Sequence, residues 1–148
     1  QLFLGITFNY GLLLGWTSIN SSLDILPILF YIGAIFWTLG YDTIYGFQDI
    51  KDDEIIGLKS TSIKFKKNIK KFVTISYLIT SLLILFLFFP IIGINIFTFF
   101  LILFVASLFY QVVKFKTNNS RTCLDAFKFN NISGLLFFIA ILSITLQK

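Results

Sequence analysis

The sequence predicts an all-α, polytopic transmembrane helix bundle. Of its 148 residues, 57% are apolar, 13% are charged and twenty are phenylalanine, and its mean hydropathy is +0.89. A soluble domain has about a quarter of its residues charged, so this chain has more apolar surface than a soluble core of its size can bury. The apolar residues form continuous runs, as in membrane helices, and lack the alternation that is typical of membrane β-strands.

Residues 1–23 and 25–46 are predicted to be the first two membrane spans. The first run carries no charge and contains three glycines, which suit close packing against other helices. Asp24 and Pro27 stand at the start of the second run, a pattern that is typical of a helix start. We expect this helix to continue past Asp42 to its end at residue 46.

Residues 72–113 contain no charged side chain and predict two further spans. As a single helix they would be about 63 Å long, roughly twice the thickness of the hydrocarbon core of a bilayer. Pro90 and the glycine and asparagine that follow it predict a turn, which divides the run into spans at residues 72–89 and 96–113. A last apolar run predicts a fifth span at residues 129–146.

The positive charges predict how these spans are oriented. All but one of the twelve lysine and arginine residues fall in two segments, residues 47–71 and 114–128. By the positive-inside rule, both segments are expected to be cytoplasmic loops. The net charge of +5 then follows from topology, and binding to nucleic acid is not favoured.

The residue types that are absent exclude several kinds of chemistry. The chain has no histidine and one cysteine, which excludes Ser-His-Asp triads, imidazole metal sites and internal disulfides within these residues. The chain also has no methionine and begins with glutamine. We therefore expect residues 1–148 to be a single transmembrane domain from the C-terminal portion of a longer polypeptide.

Most of the acidic residues lie where the second span reaches its cytoplasmic end. Asp49 and Asp53 are four positions apart and, if the helix persists, they share one face with Asp42 and Tyr45. Two carboxylates at this spacing repel each other unless a cation lies between them, and oxygen ligands alone favour Mg²⁺. Asp42 is nearer the membrane interior, where an ionisable group is a functional candidate. The alternative is a solvated helix end in which acids and lysines balance each other.

The residues after this acidic segment have a functional and a structural interpretation. Residues 57–61 combine a glycine, Lys59 and two hydroxyl side chains, which could contact a phosphate. Taken alone, they are more typical of a helix stop followed by an N-cap at Ser60 or Thr61.

Three residues near the last span also have ordinary explanations. Arg121 could reach a phosphate but is better explained as a charge that sets topology. Cys123 is expected to be a reduced thiol without a ligand role, because no second thiol is available. Asn130 is expected to cap the last helix or to form a hydrogen bond across the bundle.

Two motifs carry a resemblance to a known family. The first is Tyr-Asp-Thr-x-Tyr at residues 41–45, followed by the Asp49 and Asp53 pair and by Gly-x-Lys-Ser-Thr at residues 57–61. The second is Arg-x-Cys-x-x-Ala-Phe-x-x-Asn-Asn-x-x-Gly at residues 121–134. Together they resemble the UbiA superfamily of membrane prenyltransferases and, within it, the subfamily that prenylates 4-hydroxybenzoate.

The resemblance implies a nine-helix bundle in which two aspartate-rich motifs hold Mg²⁺ on the diphosphate of a polyprenyl donor. Asp49 and Asp53 match the metal-binding positions of the second motif, and Asp42 and Tyr45 match its upstream positions. Lys59 matches the lysine of the following loop.

The reaction that the resemblance implies is a step of ubiquinone biosynthesis. The allylic diphosphate ionises, and the ring carbon of 4-hydroxybenzoate ortho to the phenol attacks the cation. Lys59 is expected to contact the diphosphate, and Arg121 is a second candidate for this contact.

The first aspartate-rich motif of the family is absent from these residues. The resemblance therefore implies that the N-terminal half of the enzyme lies upstream and that the fragment alone is inactive. The alternatives are another prenyltransferase of the superfamily (menaquinone, haem O or tocopherol branch), a membrane transporter or ion-binding bundle, or a structural subunit. The usage of lysine, isoleucine and asparagine favours a bacterial inner membrane over a mitochondrial one.

Overall fold

The structure is a computed structural model and describes residues 1–20 and 22–146. Within these ranges it has α-helices and no strand, which confirms the predicted all-α class. The helices are α1 (Leu2–Phe8), α2 (Tyr10–Ile19), α3 (Ile25–Gln48), α4 (Ile50–Ile55), α5 (Thr61–Lys64), α6 (Ile69–Phe88), α7 (Ile96–Lys114) and α8 (Ser120–Leu146).

Five helical stretches of the described chain are long and apolar enough to cross a membrane. They are Leu2–Ile19, Ile25–Gln48, Lys66–Ile91, Ile96–Lys114 and Ser120–Leu146. Their outward faces carry large apolar side chains such as Phe86, Phe99 and Phe138, which are 66%, 59% and 61% exposed. Such surfaces are stable in contact with lipid chains and not with water.

The helix in the first predicted span is interrupted at Asn9, between α1 and α2. The Asn9 side chain donates from Nδ2 to the carbonyl oxygen of Gly5 at 2.8 Å, while the Asn9 backbone N–H reaches the same oxygen at only 3.4 Å. The side chain therefore competes with the backbone for the helical acceptor. The absence of charge in this run could not reveal the interruption, because an asparagine adds no charge.

The last helix is longer than its charge-free run predicts. It begins at Ser120 and so includes residues that the sequence assigned to the loop at 114–128. The length of a charge-free run reflects the thickness of the hydrocarbon core. The helix itself can be longer, because it can extend into the membrane interface. The other predicted loop, residues 47–71, likewise contains the short helices α4 and α5.

Helix α3 lies at the centre of the bundle. It packs against α6, α8 and α1, while α7 packs along α8. The core between them contains fully buried side chains such as Ile44 and Phe104. Gly40 allows the closest approach, because a Cβ atom at this position would overlap the ring of Tyr77 on α6.

A chain of hydrogen bonds connects four helices through this core. The Tyr77 hydroxyl of α6 donates to Gln111 Oε1 of α7 at 2.8 Å, and Gln111 Nε2 donates to Ser133 Oγ of α8 at 2.9 Å. Trp37 Nε1 of α3 donates to Asn130 Oδ1 of α8 at 2.9 Å, which confirms the predicted cross-bundle role of Asn130. Polar side chains satisfied in this way fix how the helices are rotated against each other.

Candidate active site

The acidic segment, residues 42–54, covers the last turns of α3, the junction at Asp49 and most of α4. Asp49 interrupts the helix, with φ −105° and ψ 17°, so the condition for one continuous helix face from Asp42 to Asp53 is not met. The backbone N–H of Asp53 nevertheless donates to the carbonyl oxygen of Asp49 at 3.0 Å. The one-turn spacing of the two aspartates is therefore kept at the start of α4.

The three candidate carboxylates form no salt bridge in the described part of the chain. The salt bridge found there joins Lys66 to Glu54 at 2.8 Å, and it leaves Asp42, Asp49 and Asp53 without one. Asp49 is exposed and precedes α4, but its side chain makes no capping hydrogen bond. Two neighbouring carboxylates that form neither a salt bridge nor a capping hydrogen bond are suited to binding a cation.

The carboxylates of the acidic segment are of the ligand type that Mg²⁺ prefers. Among the residues that the structure describes, no group of three or more carboxylate, imidazole or thiolate ligands comes together. Mg²⁺ is commonly held by one or two carboxylates together with waters and substrate phosphates. Asp49 and Asp53 therefore fit a shared site in which a diphosphate supplies further oxygen ligands.

The loop that carries Lys59 is fixed against α3 next to Asp42. Thr61 and Thr43 share a hydrogen bond between their hydroxyl oxygens at 2.7 Å, and Ser62 Oγ donates to the carbonyl oxygen of Thr43 at 2.9 Å. Both contacts hold α5 against Thr43, the residue of α3 that follows Asp42. Lys59 is exposed and lies in the loop directly before α5.

The structure supports the capping interpretation of the residues around Lys59. Ser60 Oγ accepts a hydrogen bond from the backbone N–H of Ile63 at 3.2 Å, as an N-cap does. Gly57 has φ +73°, which favours glycine at this turn. The hydroxyl of Ser60 is thus used locally, and the Lys59 ammonium is the group of this loop that stays available to an anion.

Arg121 lies in the first turn of α8, away from this loop in sequence, and is exposed. No salt bridge joins it to an aspartate among the described residues. Its assignment to the diphosphate is therefore still a prediction.

Tyr45 connects the acidic end of α3 to α8. Its ring, which is 39% exposed, packs against Phe127 with ring centroids 4.6 Å apart. Tyr41, one turn earlier, lies 6.0 Å from the same ring. These three rings form an aromatic patch at the end of the bundle that carries Asp42.

An open cleft of about 430 Å³ lies beside this aromatic patch. It is formed by α1, α3 and α8, and its walls combine aromatic rings with uncharged polar groups. They include Asn9, Trp37, Thr38, Tyr41, Phe127 and Asn130. The sequence did not predict this cleft, because its walls come from residues far apart in the chain; the polar residues inside apolar spans were the available signal.

The chain is similar to known membrane prenyltransferases. The model of the UbiA prenyltransferase family matches residues 1–142. The chain is 38% identical over 149 residues to the mitochondrial 4-hydroxybenzoate polyprenyltransferase of Bos taurus, covering 95% of this chain and 38% of that protein. It is 33% identical over 145 residues to the 4-hydroxybenzoate octaprenyltransferase of Francisella tularensis subsp. mediasiatica, covering 94% of this chain and 49% of that protein.

A shorter region is more strongly similar. The chain is 53% identical over 73 residues to the mitochondrial 4-hydroxybenzoate polyprenyltransferase of Homo sapiens, covering 47% of this chain and 19% of that protein. No solved structure matches the chain significantly. The chain thus spans half or less of the length of these curated relatives. With a family match over nearly all of its residues and five apolar helices of membrane-spanning length, the chain is an integral membrane protein and belongs to the UbiA prenyltransferase family.

Proposed function

We propose that this chain forms part of an enzyme that transfers a polyprenyl group from an allylic polyprenyl diphosphate to the ring of 4-hydroxybenzoate, in ubiquinone biosynthesis. The observation that carries the proposal is the pair of Asp49 and Asp53, which form no salt bridge among the described residues and are held one turn apart just after α3, the helix that also lines the aromatic cleft. The names of the relatives support the substrates. Because the chain spans only 38% of the bovine relative, the activity is proposed for the complete protein, with its N-terminal half.

The acidic segment would bind the diphosphate through Mg²⁺. Asp49 and Asp53 would hold the ion, since their carboxylates have no salt-bridge partner among the described residues. A bound Mg²⁺ neutralises negative charge on the leaving diphosphate. Lys59 and Arg121 would add positive charge for the same group, and Asp42 would strengthen the negative potential that attracts the cation.

The aromatic patch and the cleft would receive the reacting carbons. Tyr45 and Tyr41 present ring faces near the acidic end of α3, and such faces stabilise a cation through their π electrons. The cleft wall is mainly aromatic and uncharged. An environment of this kind excludes water and so protects an allylic cation from hydrolysis.

The composition of the chain supports one type of membrane for the proposed enzyme. We propose a bacterial inner membrane on the basis of the composition, and the relatives include both mitochondrial proteins and a bacterial one. The polyprenyl donor reaches the site from the bilayer in either case. Detection of the complete protein in a fractionated inner membrane tests this assignment.

The experiment that tests the proposed function is a transfer assay with the complete natural protein in membranes. We expect prenylated 4-hydroxybenzoate, identified by mass, when a polyprenyl diphosphate and Mg²⁺ are supplied, and loss of product when a chelator removes the ion. Acceptors of the menaquinone, haem O and tocopherol branches are tested in parallel. Transfer to one of these alone would contradict the acceptor, and the absence of any transfer would contradict the enzyme.

A further inference from the structure

The carboxamide of Asn130 is fixed in one orientation by two donors from different helices. Trp37 Nε1 donates to Asn130 Oδ1 at 2.9 Å, and Gln111 Nε2 lies 3.5 Å from the same oxygen. An indole nitrogen can only donate, so the atom that faces Trp37 must be the amide oxygen. The Asn130 Nδ2 group therefore points away from both partners.

The groups that hold Asn130 are themselves fixed. Gln111 is fully buried; its Oε1 accepts from the Tyr77 hydroxyl, and its Nε2 donates to Ser133 Oγ. Trp37 packs edge-on against Phe104 with ring centroids 4.9 Å apart. A side chain supported in this way has lost its rotational freedom before any ligand arrives.

The free end of Asn130 is available to the cleft. Asn130 lines the cleft, and no described residue accepts a hydrogen bond from its Nδ2. The atom is also not among the sealed, unpaired polar atoms of the described chain, so it is accessible. A half-buried donor without a partner is favourable only where a ligand or water accepts its hydrogen bond.

Asn9 offers a hydrogen-bond acceptor to the same cleft, whereas Asn130 offers a donor. Its Nδ2 is used by the Gly5 carbonyl oxygen and by Thr38 Oγ1, both at 2.8 Å, which leaves Oδ1 as the free acceptor. The cleft therefore offers one amide donor, one amide acceptor and aromatic walls. A hydroxylated aromatic acid matches this set, because its carboxylate only accepts and its phenol donates.

We propose that Asn130 Nδ2 donates a hydrogen bond to the carboxylate of the aromatic acceptor and so determines the preference for an acid. This inference rests on the proposed function and deepens it by assigning one substrate group to one residue. Asn130 would contact the substrate, while Trp37 and Gln111 are positioning residues that act through it.

The test is Asn130→Asp in the complete protein, assayed in membranes with 4-hydroxybenzoate and with 4-hydroxybenzamide. The variant keeps an oxygen for Trp37 and Gln111 but replaces the donor by an acceptor. A hydrogen bond to a charged group is worth enough that its loss raises KM about tenfold or more. We expect this rise for the acid, an unchanged KM for the polyprenyl diphosphate, and a relative gain for the amide, whose NH₂ group can donate to Asp.

Two controls separate this effect from changes in charge or folding. Asn68→Asp adds the same charge at an exposed position before α6 and is expected to leave KM for the acid unchanged. Thermal unfolding in detergent checks each variant. If Asn130→Asp fails this check, Asn130→Ala replaces it, because alanine has no hydrogen-bond donor; we expect the same rise in KM for the acid and an unchanged KM for the diphosphate.

The outcomes distinguish this inference from the proposed function. A variant that raises KM for the acid and shifts preference to the amide supports the role of Asn130. An unchanged KM for the acid, or an equal loss for both substrates, would overturn it. If the unmodified protein transfers to no hydroxybenzoate, the proposed function itself is wrong.

Discussion

At the scale of single residues, hydrogen-bond geometry decides which polar groups serve the fold and which stay available. Thr43, Gln111 and Ser133 are fully buried, and each is engaged by side chains of other helices. Asp42, Asp49 and Asp53 have no salt-bridge partner in the described ranges. Buried polar groups are normally satisfied, so the two sets of residues have different roles. The first set holds the helices together, and the second is available to ligands.

The hydrogen bond from the Tyr77 hydroxyl to Gln111 is predicted to stabilise the bundle. Tyr77→Phe keeps the ring that fills the core but leaves Gln111 Oε1 without its donor. Because Gln111 is fully buried, we expect a loss of stability of about 1–3 kcal/mol, measured as a lower thermal unfolding midpoint in detergent. Tyr110→Phe is the matched control, since Tyr110 is 48% exposed, and an equal loss in both variants would contradict this role.

At the scale of elements, the path of α3 explains how the site is built. Its last turns bury Ile44 in the core and also carry Asp42 and Tyr45, and its interruption at Asp49 starts α4. The short α5 returns to α3 through the Thr43 and Thr61 hydroxyl pair. One helix thus positions the acidic segment, the aromatic patch and the loop with Lys59.

The contact between α3 and α6 depends on Gly40. In Gly40→Ala the new Cβ atom would overlap the Tyr77 ring, so α3 and α6 must move apart. Overpacking of this kind costs about 1–3 kcal/mol, and we expect a lower unfolding midpoint in detergent.

The control for this substitution is Gly15→Ala on α2. A Cβ atom there meets nothing within 4 Å, and alanine favours a helix over glycine. We therefore expect no loss of stability in this variant. A Gly40→Ala protein as stable as the Gly15→Ala protein would show that α3 and α6 do not pack as described.

The sequence predicts elements better than it predicts their contacts. Charge-free runs locate the apolar helices because hydrocarbon thickness sets a minimum length. They do not reveal the interruption at Asn9, which depends on a side-chain hydrogen bond, or the early start of α8 at Ser120. The spacing of Asp49 and Asp53 in the sequence was enough to predict them as a candidate pair. The residues that line the cleft could not be predicted in this way, since Trp37 and Asn130 are 93 residues apart and meet only in the folded bundle.

At the scale of the whole molecule, the charge distribution predicts which ends of the bundle share one side of the membrane. The loops at 47–71 and 114–128 are predicted to be cytoplasmic, together with the acidic segment. This orientation would place Asp49 and Asp53 on the cytoplasmic side of the membrane.

Labelling of single cysteines tests this orientation. Cys123 is fully buried, and Cys123→Ala, together with replacement of any cysteine outside residues 1–148, provides the background. In that background we expect Lys67→Cys and Thr117→Cys to react with an impermeant thiol reagent only when it is added on the cytoplasmic side. Gly93→Cys is the opposite control and should react only from the other side. Labelling of all three from one side would contradict the predicted topology.

Asp49 and Asp53 are proposed to bind the diphosphate through a metal ion. The most direct measurement is prenyl transfer by Asp49→Asn and Asp53→Asn in the complete protein, in membranes, over a range of Mg²⁺ concentrations. Asp24→Asn, at the opposite end of α3, is the control. Loss of several kcal/mol of charge stabilisation predicts kcat/KM at least about 100-fold lower in both variants, with more Mg²⁺ needed for half-maximal rate. Unaltered rates and Mg²⁺ dependence in both variants would contradict the account.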